Sequence, residues 1–377
     1  MNIRIKRENL LEALSLNIKT VPVRTSIPIL NNALLLVDGK KLVIKSTNLE
    51  QSAITIVGIE VIEKGECTIN LKNFYEIIAN LKSSIINILL QDNTLYIKDK
   101  KNEISLNTIP TDEYPDIPDR DKDTDYFIKI NPNALSFAID KVSFATSKDK
   151  ARPILTGVLM EFDEKNINFI GINGFRLASI SIESEDIKSS IDNLVISKEA
   201  LDNISDIIKT KNFEDNVSMY IYMISGNQIL FEIENIKFIS RIIQGKYPDY
   251  KKIFPEFYST SFEIKREDLK NILKLSTPFK FKEISKISIQ TNSIENKVEF
   301  NSGLKEVGDL NSSIKTKIEG KDISVNFNAN YIMDFLNHSD GEKISIELNS
   351  SESRKVSKII DKNLGNYTYL IMPLYER

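Results

Sequence analysis

The side chains that usually carry catalysis are scarce in this chain of 377 residues, which has one histidine and one cysteine. His338, in Leu-Asn-His-Ser-Asp-Gly, is the only base a nucleophilic triad could use, and its position just after an expected helix reads as a solvated turn. Cys67, in Gly-Glu-Cys-Thr-Ile at the start of an expected strand, reads as a packed small residue rather than a nucleophile. A single cysteine excludes a disulfide scaffold and any thiolate zinc or iron–sulfur centre. Asp119, Asp121, Asp123 and Asp125 open like a calcium loop, but Thr124 stands where that loop needs glycine and Ile130 where it needs a bidentate glutamate. The run reads instead as a charged, flexible linker. The glycine-rich phosphate loops and the G-x-S-x-G elbow are absent. These residues lead us to expect no catalytic site, no metal and no cofactor.

Composition agrees with that reading. Fifty Lys+Arg against 53 Asp+Glu leave a net charge of −3, with 41% hydrophobic and 27% charged residues. This is the balance of a globular protein with material for two or three cores. Glu8 and Glu12 interrupt any signal-peptide core, and no apolar run reaches membrane-spanning length, so an intracellular place is expected. The slight acidity argues against a uniformly basic nucleic-acid binder, not against one whose cations gather on one surface.

The elements that would position any site come in threes. Leu10, Ala13 and Leu14 form an apolar helical stripe that returns as Leu135, Ala138 and Ile139, and again as Leu269, Ile272 and Leu273. A second stripe, Phe74, Ile77, Ile78 and Leu81, returns as Leu201, Ile204 and Ile208, then as Ile332, Phe335 and Leu336. Alternating strand patterns lie between them, among them Leu34–Val37, Leu42–Ser46, Leu95–Ile97, Val158–Phe162, Asn168–Ile172, Ile229–Ile233, Ile287–Gln290 and Lys343–Leu348. Asp38-Gly39, Ser225-Gly226-Asn227 and Asp340-Gly341 punctuate them as turns. One third of the chain is about 126 residues, close to the helix offsets. The expectation is therefore an α+β protein of three similar domains, 1–122, 123–255 and 256–377, with linkers near Pro118–Tyr126 and Phe254–Ser261.

Basic residues accompany the helices, including Lys72, Lys141 and Lys198, but acidic neighbours such as Glu12, Glu76 and Asp202 make this read as a mixed solvated face. The loop run Lys148-Asp-Lys150-Ala-Arg152 and Arg24 in the matching loop of the first repeat could grip phosphates.

Five ordered motifs then carry a resemblance that runs the length of the chain. They are Arg24-Thr-Ser-Ile-Pro-Ile-Leu30, Thr47-Asn-Leu-Glu50, Gly171-Ile-Asn-Gly-Phe-Arg-Leu-Ala178, Gln244-Gly-Lys-Tyr-Pro-Asp-Tyr250 and Tyr369-Leu-Ile-Met-Pro-Leu374. Together the sequence resembles the bacterial DNA polymerase III beta subunit, the sliding-clamp family. The resemblance implies a head-to-tail homodimeric ring of six domains, with helices lining a hole around duplex DNA and sheets outside. It implies a non-enzymatic processivity factor of the cytoplasm and nucleoid. Its partners would be the polymerase III alpha subunit, the clamp loader, and other polymerases and repair proteins.

The resemblance also implies a pocket between the second and third domains for a partner's short apolar motif. Carried over by position, it comprises Leu155, Ile172, Gly174, Phe175, Arg176, Leu177, Pro248, Lys252, Ile253, Leu370, Met372, Pro373 and Leu374, with Arg176 and Lys252 as polar anchors at the edge. Phe175 stands where the family often has histidine, and Ile154 where it often has an aromatic residue. For DNA the resemblance points to Arg24, Lys72, Lys148, Arg152 and Lys198. For the ring interface it points to Ile104 and Leu106 on one copy, with Leu273, Leu275 and Phe279 on the other. A repeat scaffold that binds only proteins, and a hydrolase using His338 or the linker carboxylates, are the competing readings.

Overall fold

The computed structural model describes residues 1–121, 123–188, 192–281, 284–304, 306–349 and 355–374. Lys122 of the expected linker and Tyr375–Arg377 of the tail lie outside the described residues.

Six helices follow the six stripes: α1 (Arg7–Asn17), α2 (Leu71–Asn80), α3 (Pro132–Val142), α4 (Lys198–Lys211), α5 (Arg266–Ser276) and α6 (Ala329–Asn337). Leu10, Ala13 and Leu14, Leu135, Ala138 and Ile139, and Leu269, Ile272 and Leu273 are all buried. So are Phe74, Ile78 and Leu81, Leu201, Ile204 and Ile208, and Ile332, Phe335 and Leu336. The second helix of each repeat is capped by a polar residue at its start. The Asn70 side chain accepts from the Asn73 N–H, Ser197 from Ala200 and Asn328 from Asn330. Each cap satisfies a backbone donor the first helical turn leaves orphaned, and so fixes where the helix begins. The first helix of each repeat ends in a 3-10 turn, at Ile18–Thr20, Ser143–Ala145 and Thr277–Phe279.

Every strand pattern named above falls inside a strand, and the strands pair antiparallel throughout. The sheets do not stop at the ends of the repeats. In the first repeat Gln51–Gly58 pairs with Ile236–Arg241 of the second, fusing their strands into one nine-stranded sheet. In the second repeat Arg176–Glu183 pairs in the same way with Tyr367–Ile371 of the third, giving a second nine-stranded sheet. Two five-stranded sheets remain, one ending at Glu103–Asn107 and the other at Gly308–Lys315. The chain accordingly divides into two compact units, Met1–Asn133 with Ser184–Ser190 and Asn203–Ile242, and Ala134–Glu183 with Ile191–Asp202 and Ile243–Arg377. Each joint between repeats lies wholly inside one unit.

Burial leaves a titration signature. Desolvation raises the Cys67 thiol from its ordinary 9.0 to about 12, and pushes the Tyr114, Tyr247 and Tyr369 hydroxyls above their usual range. A group whose folded pKa is raised contributes stability fully present below its unfolded pKa and lost as pH climbs toward the folded value. The urea midpoint should therefore be flat near neutrality and fall between about pH 9 and 12. At pH 8 a thiol reagent should label Cys67 no faster than the chain opens. An unchanged midpoint at pH 10.5, or immediate labelling, would contradict this burial.

Candidate functional site

The second joint forms an apolar pocket. Strand Asn166–Ile172 brings Ile172 to its rim, and the chain then turns tightly through Asn173 and Gly174. The Asn173 side-chain oxygen accepts from the Phe175 and Arg176 N–H groups at 2.8 and 3.0 Å. Gly174 has φ +92°, which a side chain would strain. This turn holds Phe175 out at 56% exposure. Leu177 faces Leu370 across the sheet, and the Met372 N–H donates to the Phe175 carbonyl at 2.8 Å, extending the pairing past the strand end. A 3-10 turn at Tyr250–Ile253 supplies Ile253, and its Tyr250 hydroxyl donates to the Glu161 carboxylate at 2.6 Å. The Tyr247 hydroxyl ties the preceding loop to the Ile170 carbonyl at 3.1 Å.

Ile172, Gly174, Phe175, Arg176, Leu177, Ile253, Leu370 and Met372 thus surround one concave space. Val356 joins them, a residue the sequence motifs did not indicate. The remaining expected residues lie elsewhere. Leu155 is buried in the core beneath the pocket. Pro248 and Lys252 are exposed, and Lys252 is paired with Asp249 at 2.8 Å. Pro373 is buried, and the Leu374 N–H donates to the Asn326 carbonyl at 2.7 Å.

Arg176 is not an anchor at the pocket edge. Its guanidinium turns inward, donating to Asp334 of α6 and to the Phe144 carbonyl, both at 2.5 Å, and lies 4.5 Å from the Tyr331 ring centre. It is a tie between repeats. Lys141 is likewise no part of a solvated face: it is 3% exposed and donates at 2.6 Å to both the His338 carbonyl and Asp340. The charge is buried because a carboxylate 199 positions away compensates it. His338 lies in the turn that ends α6, as expected, but is half-buried. Its ring stacks on Phe144 with centres 4.2 Å apart, and its Nδ1 lies 2.7 Å from the Asp334 carbonyl, where it caps α6. The acidic linker is pinned rather than free, since Asp119 pairs with Lys237 at 2.6 Å and Arg120 with Glu232 at 2.8 Å.

Of the expected phosphate-binding side chains, Arg24, Lys72 and Lys148 are exposed, with no ion-pair partner among the described residues. Arg152 is also exposed but bonded to Asp149 at 3.0 Å, and Lys198 pairs with Asp202 one helical turn on. Arg24 and Arg152 each precede a Pro-Ile-Leu 3-10 turn, at Pro28–Asn31 and Pro153–Thr156. Of the expected interface residues, Ile104, Leu106 and Phe279 are half-buried and Leu275 is exposed. Leu273 is buried in its own repeat by the stripe it belongs to.

Among the described residues no three or more histidine, cysteine or carboxylate side chains gather as metal ligands, and no helix is long and apolar enough to cross a membrane.

Three repeats of two helices and their strands, joined edge to edge, make the fold of the DNA sliding clamps. A clamp from Bacillus subtilis matches it over all of both chains with a TM-score of 0.92 at 23% identity, and a polymerase III beta subunit from Pseudomonas aeruginosa with 0.91 at 22%. The chain belongs to the DNA polymerase III beta subunit family, whose N-terminal, central and C-terminal domain profiles match residues 1–118, 129–249 and 251–375. Beta sliding clamps similar to it include one from Staphylococcus epidermidis, 25% identical across 99% of both chains. Another is from Halalkalibacterium halodurans, 27% identical over 89% of this chain and 90% of that one.

Proposed function

We propose that two copies of this chain close head to tail into a ring around duplex DNA and tether the replicative polymerase to it. Its domains would be 1–122, 123–255 and 256–377. In this reading the protein is a non-catalytic accessory subunit of the cytoplasm and nucleoid. The pocket at the second joint would receive an apolar linear motif of the polymerase III alpha subunit, of the clamp loader, and of other polymerases and repair proteins.

One observation carries the assembly: the same strand pair that joins the first repeat to the second and the second to the third has both its halves left over. At the two joints Phe238 faces Ala53 and Tyr369 faces Ala178. The corresponding positions on the open edges are Ile104 and Leu310. All four joint residues are buried, whereas Ile104 and Leu310 are only half-buried in the single chain. Leu275 repeats the pattern at 59% exposure, while Leu16 and Lys141, at the same place on α1 and α3, are 2% and 3% exposed. Joining edge Glu103–Asn107 of one copy to edge Gly308–Lys315 of another would cover these positions and leave no open sheet edge there.

Topology would hold the DNA, so its contacts need only be screened and indifferent to sequence. The test is loading onto nicked circular DNA with the cognate loader, followed by linearisation, after which a clamp slides off. Replacing Arg24, Lys72 and Lys148 by Ala should weaken DNA association equally on all sequences. The salt dependence should fall by up to about one log unit of slope for each phosphate no longer neutralised. Retention on linear DNA would favour a scaffold that never encircles it, and an unaltered slope would assign the three cations elsewhere.

A further inference from the structure

Both joints inside the chain contain a hydrogen-bond donor in the same place, half-buried at the first and buried at the second. At the first, the Asn203 side-chain amide of α4 donates to the Gln51 Oε1 at 2.8 Å and to the Lys19 carbonyl at 3.4 Å. At the second, the Arg176 guanidinium donates to Asp334 of α6 and to the Phe144 carbonyl. The correspondence is position for position. Gln51 and Arg176 open the edge strand. Asn203 and Asp334 stand six residues after the helix caps Ser197 and Asn328. Lys19 and Phe144 are the middle residues of the 3-10 turns that follow the first helices. The donor sits on the helix in one joint and on the strand in the other, yet each joint has one, and it always takes the turn's carbonyl.

The third set of positions breaks the pattern. The strand residue is Gly308, which has no side chain. Six residues after the cap Asn70 stands Glu76, exposed on α2 and with no side-chain partner among the described residues. The middle residue of the third 3-10 turn is Pro278. An ionised carboxylate and a backbone carbonyl are both acceptors. Neither of these positions has a donor to offer the other, so bringing them together desolvates two acceptors without a bond between them.

We infer that the joint between two copies lacks the donor that ties each joint inside the chain, and that the side chain at position 76 sets how long two copies hold each other. The inference rests on the assembly proposed above. It makes the joint between copies the weakest of the ring for a reason specific to this chain, one a single amide can repair.

The experiment is subunit exchange between two differently labelled populations of the full-length protein, with Glu76→Gln, Glu76→Ala and Ile104→Asp compared with the unaltered chain. Glu76→Gln supplies an amide like that of Asn203, and exchange should slow about tenfold, equivalent to about 1.4 kcal/mol. Glu76→Ala removes the charge but offers no donor, so it should slow exchange less than Glu76→Gln does. Melting of the isolated chain should not change, because Glu76 is exposed there. If Glu76→Gln exchanges as fast as the unaltered chain, or no more slowly than Glu76→Ala, while Ile104→Asp gives monomers, the missing-donor inference is overturned and the assembly stands. If Ile104→Asp leaves dimers intact, the proposed joint itself is wrong and the inference falls with it.

Discussion

Ile104→Asp should convert the protein into folded monomers. At both internal joints the matching position is an aromatic ring buried against an alanine, Phe238 on Ala53 and Tyr369 on Ala178. The proposed partner of Ile104 is Leu310, so an aspartate there would be buried opposite a leucine with no counter-charge. Removing the partner from a buried charge costs about 3–5 kcal/mol, about a hundredfold to a few thousandfold in dissociation constant. Ile104 also touches its own core, so a second variant separates assembly from folding. Leu275→Lys alters a side chain already exposed in the single chain. At the matching place of the second joint Lys141 meets Asp340, but the corresponding residue of the first repeat is Lys82, so the new ammonium would face a like charge. Sedimentation should report monomers for both variants, with the far-ultraviolet circular dichroism of the unaltered protein. Native-sized dimers with undiminished affinity in both would sink the proposed joint.

The helices were legible because each must bury one stripe, and a 3.6-residue period records that demand in residue types. The strands were legible by the same logic at period two. What was not legible is the joining of sheets from one repeat to the next. Backbone hydrogen bonds join Gln51–Gly58 to Ile236–Arg241, and a backbone bond leaves no mark on side-chain identity. Leu273, expected as a contact for another chain, is 2% exposed in the single chain. Its stripe already commits it to its own core, and the exposed residue two places on, Leu275, is the one an internal comparison selects.

Charged residues misled in the other direction. Lys141 and Arg176 read as solvent-facing cations because lysine and arginine usually are. Their partners, Asp340 and Asp334, lie far away in the chain, and only the fold brings them close. The pocket was visible to the extent that it sits on a motif. Gly171–Ala178 names five of its residues, because a tight turn and a sheet edge constrain neighbours in sequence. Val356 enters from a different strand with no motif around it. Leu155 belongs to the same apolar cluster, yet lies beneath the pocket floor.

Met372→Ala combined with Phe175→Ala should abolish partner binding while leaving the protein folded and assembled. Met372 lies just past the last strand with part of its surface open to the pocket, and Phe175 is more than half exposed on the tip of its turn. Neither is a fully buried core residue, so truncation opens little interior space. An apolar motif seated there would cover both. Met→Ala removes roughly three methylene equivalents, at about 0.8 kcal/mol each, or about 2 kcal/mol and thirtyfold in Kd. Removing the Phe175 ring should add at least as much, bringing the total to about a thousandfold for an apolar peptide from the polymerase C-terminus. Leu370→Ala provides the contrast. Leu370 is buried and paired with Leu177 in the sheet, so its truncation should lower the melting midpoint by the equivalent of about 2–5 kcal/mol, the usual cost of emptying a core position. Peptide titration and melting measured on the same samples separate the two effects. Undiminished peptide affinity in the Met372/Phe175 pair, with a melting point as low as that of Leu370→Ala, would make these residues part of the core and leave the pocket without a role in docking.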